Sequence, residues 1–376
     1  MRTRRRPYGA QRPMDLGGGV WSVPVPIPGN PLGYTLVYAV ESPSGPVLVD
    51  AGWNHEDAWL ALRDGLAAVG MDVRTVRGVV VTHHHPDHAG LAGRVREESG
   101  GWIAMHEADA ALVRLIRGMD GATQRAFQAE MIRRAGGEPD APGPTPSTGR
   151  PAPALDGADS SPTDGTGPGK EPGAAGPEPD RWERPDPPAA PDLELRDGDL
   201  VDVPGRRLRT VWTPGHTPGH ICLHLEDAGR LFTGDHVLPG ITPHIGLYPY
   251  DRDDVDPLGD FLASLDLVTG MPDVEALPAH EWAFPDAAAR AAEIRDHHEQ
   301  RLLRLHDLLA GLPAVTIWEV AEHMPWNRSW SDLGPQQRGM AAGEAAAHLR
   351  TLEARGLARR LPGAPGAPIR FTASRR

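Results

Sequence analysis

Thr82-His83-His84-His85-Pro86-Asp87-His88 packs four histidines and an aspartate into seven residues. The stretch follows the β-branched run Val79-Val80-Val81 and precedes a helical pattern. Side chains alternate along an extended chain, so His83 and His85 project to one side and His84 to the other. Pro86 keeps His85 out of helical geometry, and Asp87 and His88 fall where the next helix starts. Four candidate ligands, His83, His85, Asp87 and His88, therefore converge from one strand-to-helix turn. Imidazole and carboxylate donors suit zinc and tolerate iron or manganese.

The same grammar extends on both sides. Tyr34 to Ser42 reads as a strand, Val47 to Gly52 as a short apolar strand ending in polar residues, and His55 to Gly70 as a helix with a glycine stop. Buried strands alternating with helices indicate a layered α/β protein. Downstream, three more strand ends carry ligand chemistry: TVWTPGHTPGH supplies His216, RLFTGDH supplies Asp235 and EALPAH supplies His280. Polar residues beside Gly or Pro at strand ends are set for a site, not for a core.

Together these residues resemble the metallo-β-lactamase superfamily: HxHxDH, then a histidine, a bridging aspartate and a final histidine, in that order. The resemblance covers about Val20 to Asp286 apart from a Pro/Gly-rich insert. It implies an αββα sandwich with two metals, taken as Zn²⁺ with Fe or Mn also compatible, at one edge of the sheets. His83, His85 and His216 would hold the first metal, Asp87, His88 and His280 the second, and Asp235 would bridge them. The nucleophile would be a hydroxide formed on the metals, with Asp87 as the catalytic residue that orients it. Oxygen-reducing di-iron members carry Glu where His85 stands, and single-iron persulfide dioxygenases use fewer ligands, so the pattern favours hydrolysis. Asp50 matches a family position that supports the site from behind its ligands. His84 and His220 are expected to pack or hydrogen-bond structurally, and His55 to be an ordinary residue near a helix start. His244, Tyr248 and Tyr250, in the irregular stretch after Asp235, are candidates for lining a substrate cleft. His297, His298, His306 and His348 are expected to be solvated on helix surfaces.

The remaining sequence sets the organisation. The expected division is a catalytic domain at 14–285, interrupted by a disordered insertion at 137–191, and a winged-helix-like domain at 286–376. The latter rests on three helical segments (Ala287 to Gly311, Thr316 to Met324, Gly334 to Gly356) followed by a hairpin pattern. The TPGHTPGH and TGDH segments with this C-terminus resemble a glyoxalase II-like branch that cleaves thioesters, and also a branch of endoribonucleases carrying a winged helix. No glutathione-binding helical region is matched. Across 376 residues, 38 Lys and Arg face 51 Asp and Glu, a formal charge of −13. Such a balance disfavours general nucleic-acid or anionic-membrane binding, although Arg359, Arg360 and Arg370 sit in the expected wing. The single cysteine, Cys222, excludes an intrachain disulfide. The basic N-terminus lacks a following apolar run, so a cytoplasmic protein with no membrane span is expected. The reading is therefore a di-zinc hydrolase of thioesters or small acyl esters. The alternatives are a metal-dependent endoribonuclease and a winged-helix ligand-sensing regulator, and the winged helix offers one route to a homodimer.

Overall fold

A computed structural model describes residues 12–139, 186–248, 251–271, 273–326, 328–364 and 366–374. Its first sheet contains β1 (Met14–Asp15), β2 (Val20–Pro26), β3 (Tyr34–Val40), β4 (Val47–Val49), β5 (Gly78–Val80), β6 (Trp102–His106) and β7 (Leu193–Leu195), in that spatial order. The strands are antiparallel from β1 to β4 and parallel from β4 to β7. A second sheet comprises β8 (Leu200–Val201), β9 (Leu208–Trp212), β10 (Ile221–Leu225), β11 (Arg230–Gly234) and β12 (Glu275–Pro278), ordered β12-β11-β10-β9-β8. Only β11 and β12 run parallel in it.

Period-two patterning assigns each strand two buried faces. In β3, Leu36, Tyr38 and Val40 point between the sheets and meet Ile221, Leu223 and Phe232. Val37 and Ala39 of the same strand point outward, onto the layer containing α1 (Glu56–Ala68). That outer layer continues through α2 (Pro86–Ala89), α3 (Ala92–Ser99) and α4 (Glu107–Gly118), whereas α5 (Gly121–Ala135) packs Ala135 into the core of the C-terminal helices. On the far side, Cys222, Leu231 and Ala276 of the second sheet pack under α6 (Pro257–Thr269) and α7 (Ala287–Ala310). Helix, sheet, sheet, helix is the expected αββα order. The free Cys222 is buried, and burial pushes its thiol up to about 12.

The C-terminal region adds α8 (Ile317–His323), α9 (Pro335–Ala354) and a small sheet of β13 (Val315–Thr316), β14 (Ala358–Arg360) and β15 (Arg370–Ala373), ordered β13-β15-β14. Thr316 and Glu319 cap α8 reciprocally. One apolar core runs from Leu231 and Phe261 through Leu302 and Leu349 to Phe371, so the second sheet and the C-terminal helices share a single interior. No helix among the described residues is long and apolar enough to cross a membrane.

Two expectations need correction. Residues 140–185 of the proposed insert lie outside the described residues, but its end is fixed: Pro188 is buried, and its carbonyl accepts from Arg117 at 3.0 Å. Compositional reading missed this because a proline-rich tail can dock through backbone carbonyls without large apolar side chains. His298 and His348 are also not solvated; they are 1% and 0% exposed. Alanines 341, 342, 345, 346 and 347 of α9 leave room for imidazoles between α7 and α9. An alanine-rich helix gives no periodic mark of its buried face.

Burial holds His298 down to about 3 and His348 to about 4. An unfolded histidine protonates near pH 6.5, so the unfolded state takes up protons first as pH falls. Stability is then full above about pH 6.5 and declines toward pH 4, by roughly 2 kcal/mol per buried histidine at pH 5. Urea unfolding of His298→Leu, compared with wild type at pH 7 and pH 5 in chelator, should show a shallower loss on acidification. Equal losses in both proteins would remove His298 as a cause.

Candidate metal centre

Backbone strain and close contacts at the strand ends build the site. Asp50, just past β4, has a left-handed φ of 62°, uncommon for a non-glycine residue and a mark of local strain. That turn lets its carboxylate accept from the Thr82 N–H at 2.8 Å and from His88 Nδ1 at 2.8 Å. Pro86 opens α2, and His85 stays extended as the residue before it (φ −60°, ψ 149°). Gly234, at the end of β11 with φ 49°, lies so close to His220 Nε2 that a Cβ would meet it at 2.7 Å. A side chain there would displace the backbone that presents Asp235.

The seven predicted ligands meet. His83 Nε2, His85 Nδ1 and His216 Nε2 form a triangle with edges of 3.0, 3.0 and 3.2 Å. Three nitrogens about 2.0–2.1 Å from a tetrahedral Zn²⁺ stand about 3.3 Å apart, close to these edges. Asp235 extends one oxygen to within 3.5 Å of His216 Nε2 and the other to 3.4 Å from His88 Nε2 and 3.2 Å from His280 Nε2. Asp87 Oδ2 lies 3.5 Å from His280 Nε2 and 3.8 Å from His88 Nε2. His83, His85 and His216 form one group able to hold a metal, and Asp87, His88 and His280 another.

Hydrogen bonds on the far side of each ring test whether a metal fits. His88 Nδ1 donates to Asp50, His216 Nδ1 to the His244 carbonyl at 2.8 Å and His280 Nδ1 to the Tyr34 carbonyl at 3.0 Å. A carbonyl oxygen only accepts, so the proton sits on Nδ1 and the Nε2 lone pair faces inward. His85 is turned the other way: Nδ1 faces the triangle and Nε2 meets the Tyr248 hydroxyl at 2.9 Å. His88 Nε2, His280 Nε2 and Asp235 Oδ1 are buried yet make no aligned hydrogen bond. Lone pairs converging on shared points without protein partners are what a cation would satisfy, so the residues fit metal ions.

Charge follows the same division. Burial, reinforced by neighbouring imidazoles, pushes His83 and His85 well below the ordinary histidine range. At His88 burial also opposes the charged form, but Asp235, Asp50 and Asp87 outweigh it and raise the pKa well above ordinary. Asp235 is held well below the carboxylate range despite its burial, by His280 and His88. The triangle is thus a neutral nitrogen donor set, while in the second cluster the aspartates favour protons on His88 and His280, which a second cation would displace.

Sequence reading had no means of singling out Asp109. It is 0% exposed, in the first turn of α4, and its carboxylate accepts from the His84 N–H (2.8 Å), His84 Nδ1 (3.0 Å), Thr217 Oγ1 (2.9 Å) and the Gly219 N–H (2.6 Å). One side chain ties the loop of His83 and His85 to the loop of His216. Gly219 is required there, since a Cβ would meet the Asp109 backbone nitrogen at 2.3 Å. In the sequence, Asp109 looks like any acidic residue favouring a helix N-terminus. His84 and His220 hold structural bonds as expected: His220 Nδ1 meets Thr213 Oγ1 at 2.9 Å, and its Nε2 accepts from the Asp235 N–H at 3.2 Å. His55 caps α1. The His244 ring turns toward Glu344 of α9 at 3.3 Å, leaving its carbonyl as the part that meets the ligand set. Tyr250 lies outside the described residues.

The family model of the metallo-beta-lactamase superfamily matches residues 30–280. A solved metallo-beta-lactamase family protein from Thermus thermophilus is 30% identical, with a TM-score of 0.69, over 96% of this chain and 100% of that one. A beta-lactamase domain protein from Burkholderia ambifaria is 26% identical, with a TM-score of 0.70, over 96% and 93%. Curated relatives match over shorter stretches. The lactamase-like protein nscB of Neosartorya fischeri is 33% identical over 118 residues, 31% of this chain and 32% of that protein. An atrochrysone carboxyl ACP thioesterase of Aspergillus chevalieri is 31% identical over 137 residues, 34% and 41% of the two chains. These matches span about a third to two fifths of the curated relatives' length.

Removing Asp109 should loosen both ligand loops together. Loss of such an outer partner costs about 10–100-fold in metal affinity, so Asp109→Ala should weaken zinc binding by that factor in a chelator competition titration. Unchanged affinity in a folded variant would mean that the ligand loops do not depend on Asp109.

Proposed function

The chain belongs to the metallo-β-lactamase superfamily, and on that premise we propose that it is a two-metal hydrolase of thioesters or small acyl esters. His83, His85 and His216 would hold one ion, Asp87, His88 and His280 the other, with Asp235 between them. Zn²⁺ is the favoured ion, and Fe or Mn match the same donors. The observation that carries the reading is the set of buried, unpartnered atoms His88 Nε2, His280 Nε2 and Asp235 Oδ1, in which the two nitrogens face the oxygen at 3.4 and 3.2 Å while the other Asp235 oxygen lies 3.5 Å from His216 Nε2 of the triangle. When bound, the ions supply Lewis acidity and lower the pKa of water to near neutrality.

The chain's own residues supply the rest. Asp87 is half-buried beside His280 and His88, where its carboxylate can accept a hydrogen bond from water and fix its orientation. Asp50, the His244 carbonyl and the Tyr34 carbonyl hold the histidine tautomers, so no imidazole must reorganise during turnover. Tyr248 accepts from His85 and lies 3.5 Å from the His216 carbonyl, spanning two ligands of the triangle.

Support for a thioester comes from the relative named as an ACP thioesterase. We read residues 14–285 as the catalytic domain and 286–376 as a winged-helix-like domain, on the order α7, β13, α8, α9, β14, β15. The arginines that would favour RNA are partly engaged: Arg360 lies over the Phe371 ring and pairs with Glu353 at 3.3 Å.

Zinc-loaded protein should release thiol from acyl thioesters, chelation should stop the release and added zinc should restore it. His85→Ala should lower kcat/KM by roughly 10²-fold or more, since losing even a ligand's support costs about 10–100-fold. Cleavage of single-stranded RNA that is lost in His85→Ala, without thioester turnover, would overturn the assignment in favour of a nuclease.

A further inference from the structure

The irregular stretch that carries Tyr248 is fastened to the C-terminal region. The Leu247 N–H donates to the Gly343 carbonyl of α9 at 3.1 Å, and His244 meets Glu344 of the same helix at 3.3 Å. Glu344 is also paired with Arg301 at 3.0 Å; burial works against its carboxylate, but these partners hold it down to about 2. Helix α9 therefore presents Tyr248 to His85 and the His244 carbonyl to His216.

Below Tyr248 lies a cavity of about 90 Å³ between α5, α9 and β15. Phe127, Met131, Leu247, Ile317, Ala346 and Phe371 supply its apolar walls. Tyr248 lines this cavity and meets His85 Nε2, so the cavity begins one tyrosine side chain from a candidate metal ligand. Charges around it are already matched. Asp253 takes Arg134 at 2.9 Å and Arg350 at 3.3 Å, and Arg252 pairs with Asp254 at 2.9 Å. Asp251, on the same wall, is pushed up to about 6 by burial. Nothing in this lining calls for a charged ligand, and its small residues, Ala342, Gly343 and Ala346, leave the space open.

We propose that this cavity between α5, α9 and β15 receives the apolar tail of the acyl group whose carbonyl is held at the metal centre. The proposal rests on the hydrolytic reading above and deepens it by naming the substrate class. An apolar cavity of about 150 Å³ holds benzene, so a smaller one with an open side takes a chain of a few methylenes. The expected substrates are short, uncharged acyl thioesters such as hexanoyl, and not bulky polycycles. Each buried methylene is worth about a fourfold gain.

Thioesters of acetate and hexanoate, with the same thiol, are to be compared by thiol release. Binding of acetate and hexanoate to the zinc-loaded protein is to be measured in parallel by calorimetry. Ala346→Phe fills the cavity from α9 and Met131→Trp fills it from α5, so that misfolding of one variant, checked by circular dichroism, leaves the other. Wild type should prefer the hexanoyl group at least about tenfold in kcat/KM and in affinity, and either variant should bring both ratios close to one. Turnover of both thioesters with no chain preference, or a preference that both folded variants retain, would overturn the cavity assignment and leave hydrolysis standing. Tighter hexanoate binding that the variants abolish, with no thioester turnover, would keep the cavity and overturn the hydrolytic reading.

Discussion

The candidate metal centre depends on where protons sit on buried imidazoles. A histidine offers a lone pair from one nitrogen only if its other nitrogen is held as a donor. Here the holders are three oxygens: the Asp50 carboxylate for His88, the His244 carbonyl for His216 and the Tyr34 carbonyl for His280. Two of the three are backbone atoms, so the fold itself sets the tautomer. Desolvation works in the same direction at the triangle, where it keeps His83 and His85 neutral.

That arrangement explains the architecture around it. Asp50, the His83–His88 stretch and Asp109 follow the parallel strands β4, β5 and β6, and Asp235 and His280 follow the parallel pair β11 and β12. The carboxyl ends of parallel strands, where loops leave buried sheets, are a recurrent place for sites. Both sheets bring such ends to the same edge of the sandwich. Asp109 then locks the first sheet's ligand loop to the loop of His216 from the second, so the metal centre also fastens the two halves of the sandwich.

The candidate ligands were legible because their signal is local. HxHxDH compresses four candidate ligands into one turn, and His216, Asp235 and His280 each follow a β-rich run and a Gly or Pro. Strand and helix alternation made a layered α/β protein legible, and the αββα order came with the family resemblance. Asp109 was not, because its partners lie 25 and 108 to 110 residues away and its own helix gives it an ordinary reason to be acidic. His298 and His348 escaped for a related reason: the burial of a helix face shows in sequence only when large apolar residues mark it, and α9 is marked by alanine. The contribution of α9 to the site was equally hidden, since the Leu247–Gly343 bond joins two backbones and leaves no trace in residue type.

That last bond bears on what the C-terminal region is for. A module serving only to bind nucleic acid or a second copy of the chain could be joined through a polar, separable interface. Here α7, α8, α9 and β15 share one uninterrupted apolar interior with α6 and the second sheet. The region also supplies Glu344 to His244 and Gly343 to Leu247, the two anchors of the stretch that reaches His85 and His216. Separating it would expose the outer face of the second sheet and release Tyr248 from the ligand triangle at once. The coupling is structural in both directions: whatever shifts α9 shifts the wall of the metal centre, and whatever fills the space below Tyr248 presses on α9. A region built this way forms part of the wall of the candidate site, and any further partner it binds would act on that site through the same helix.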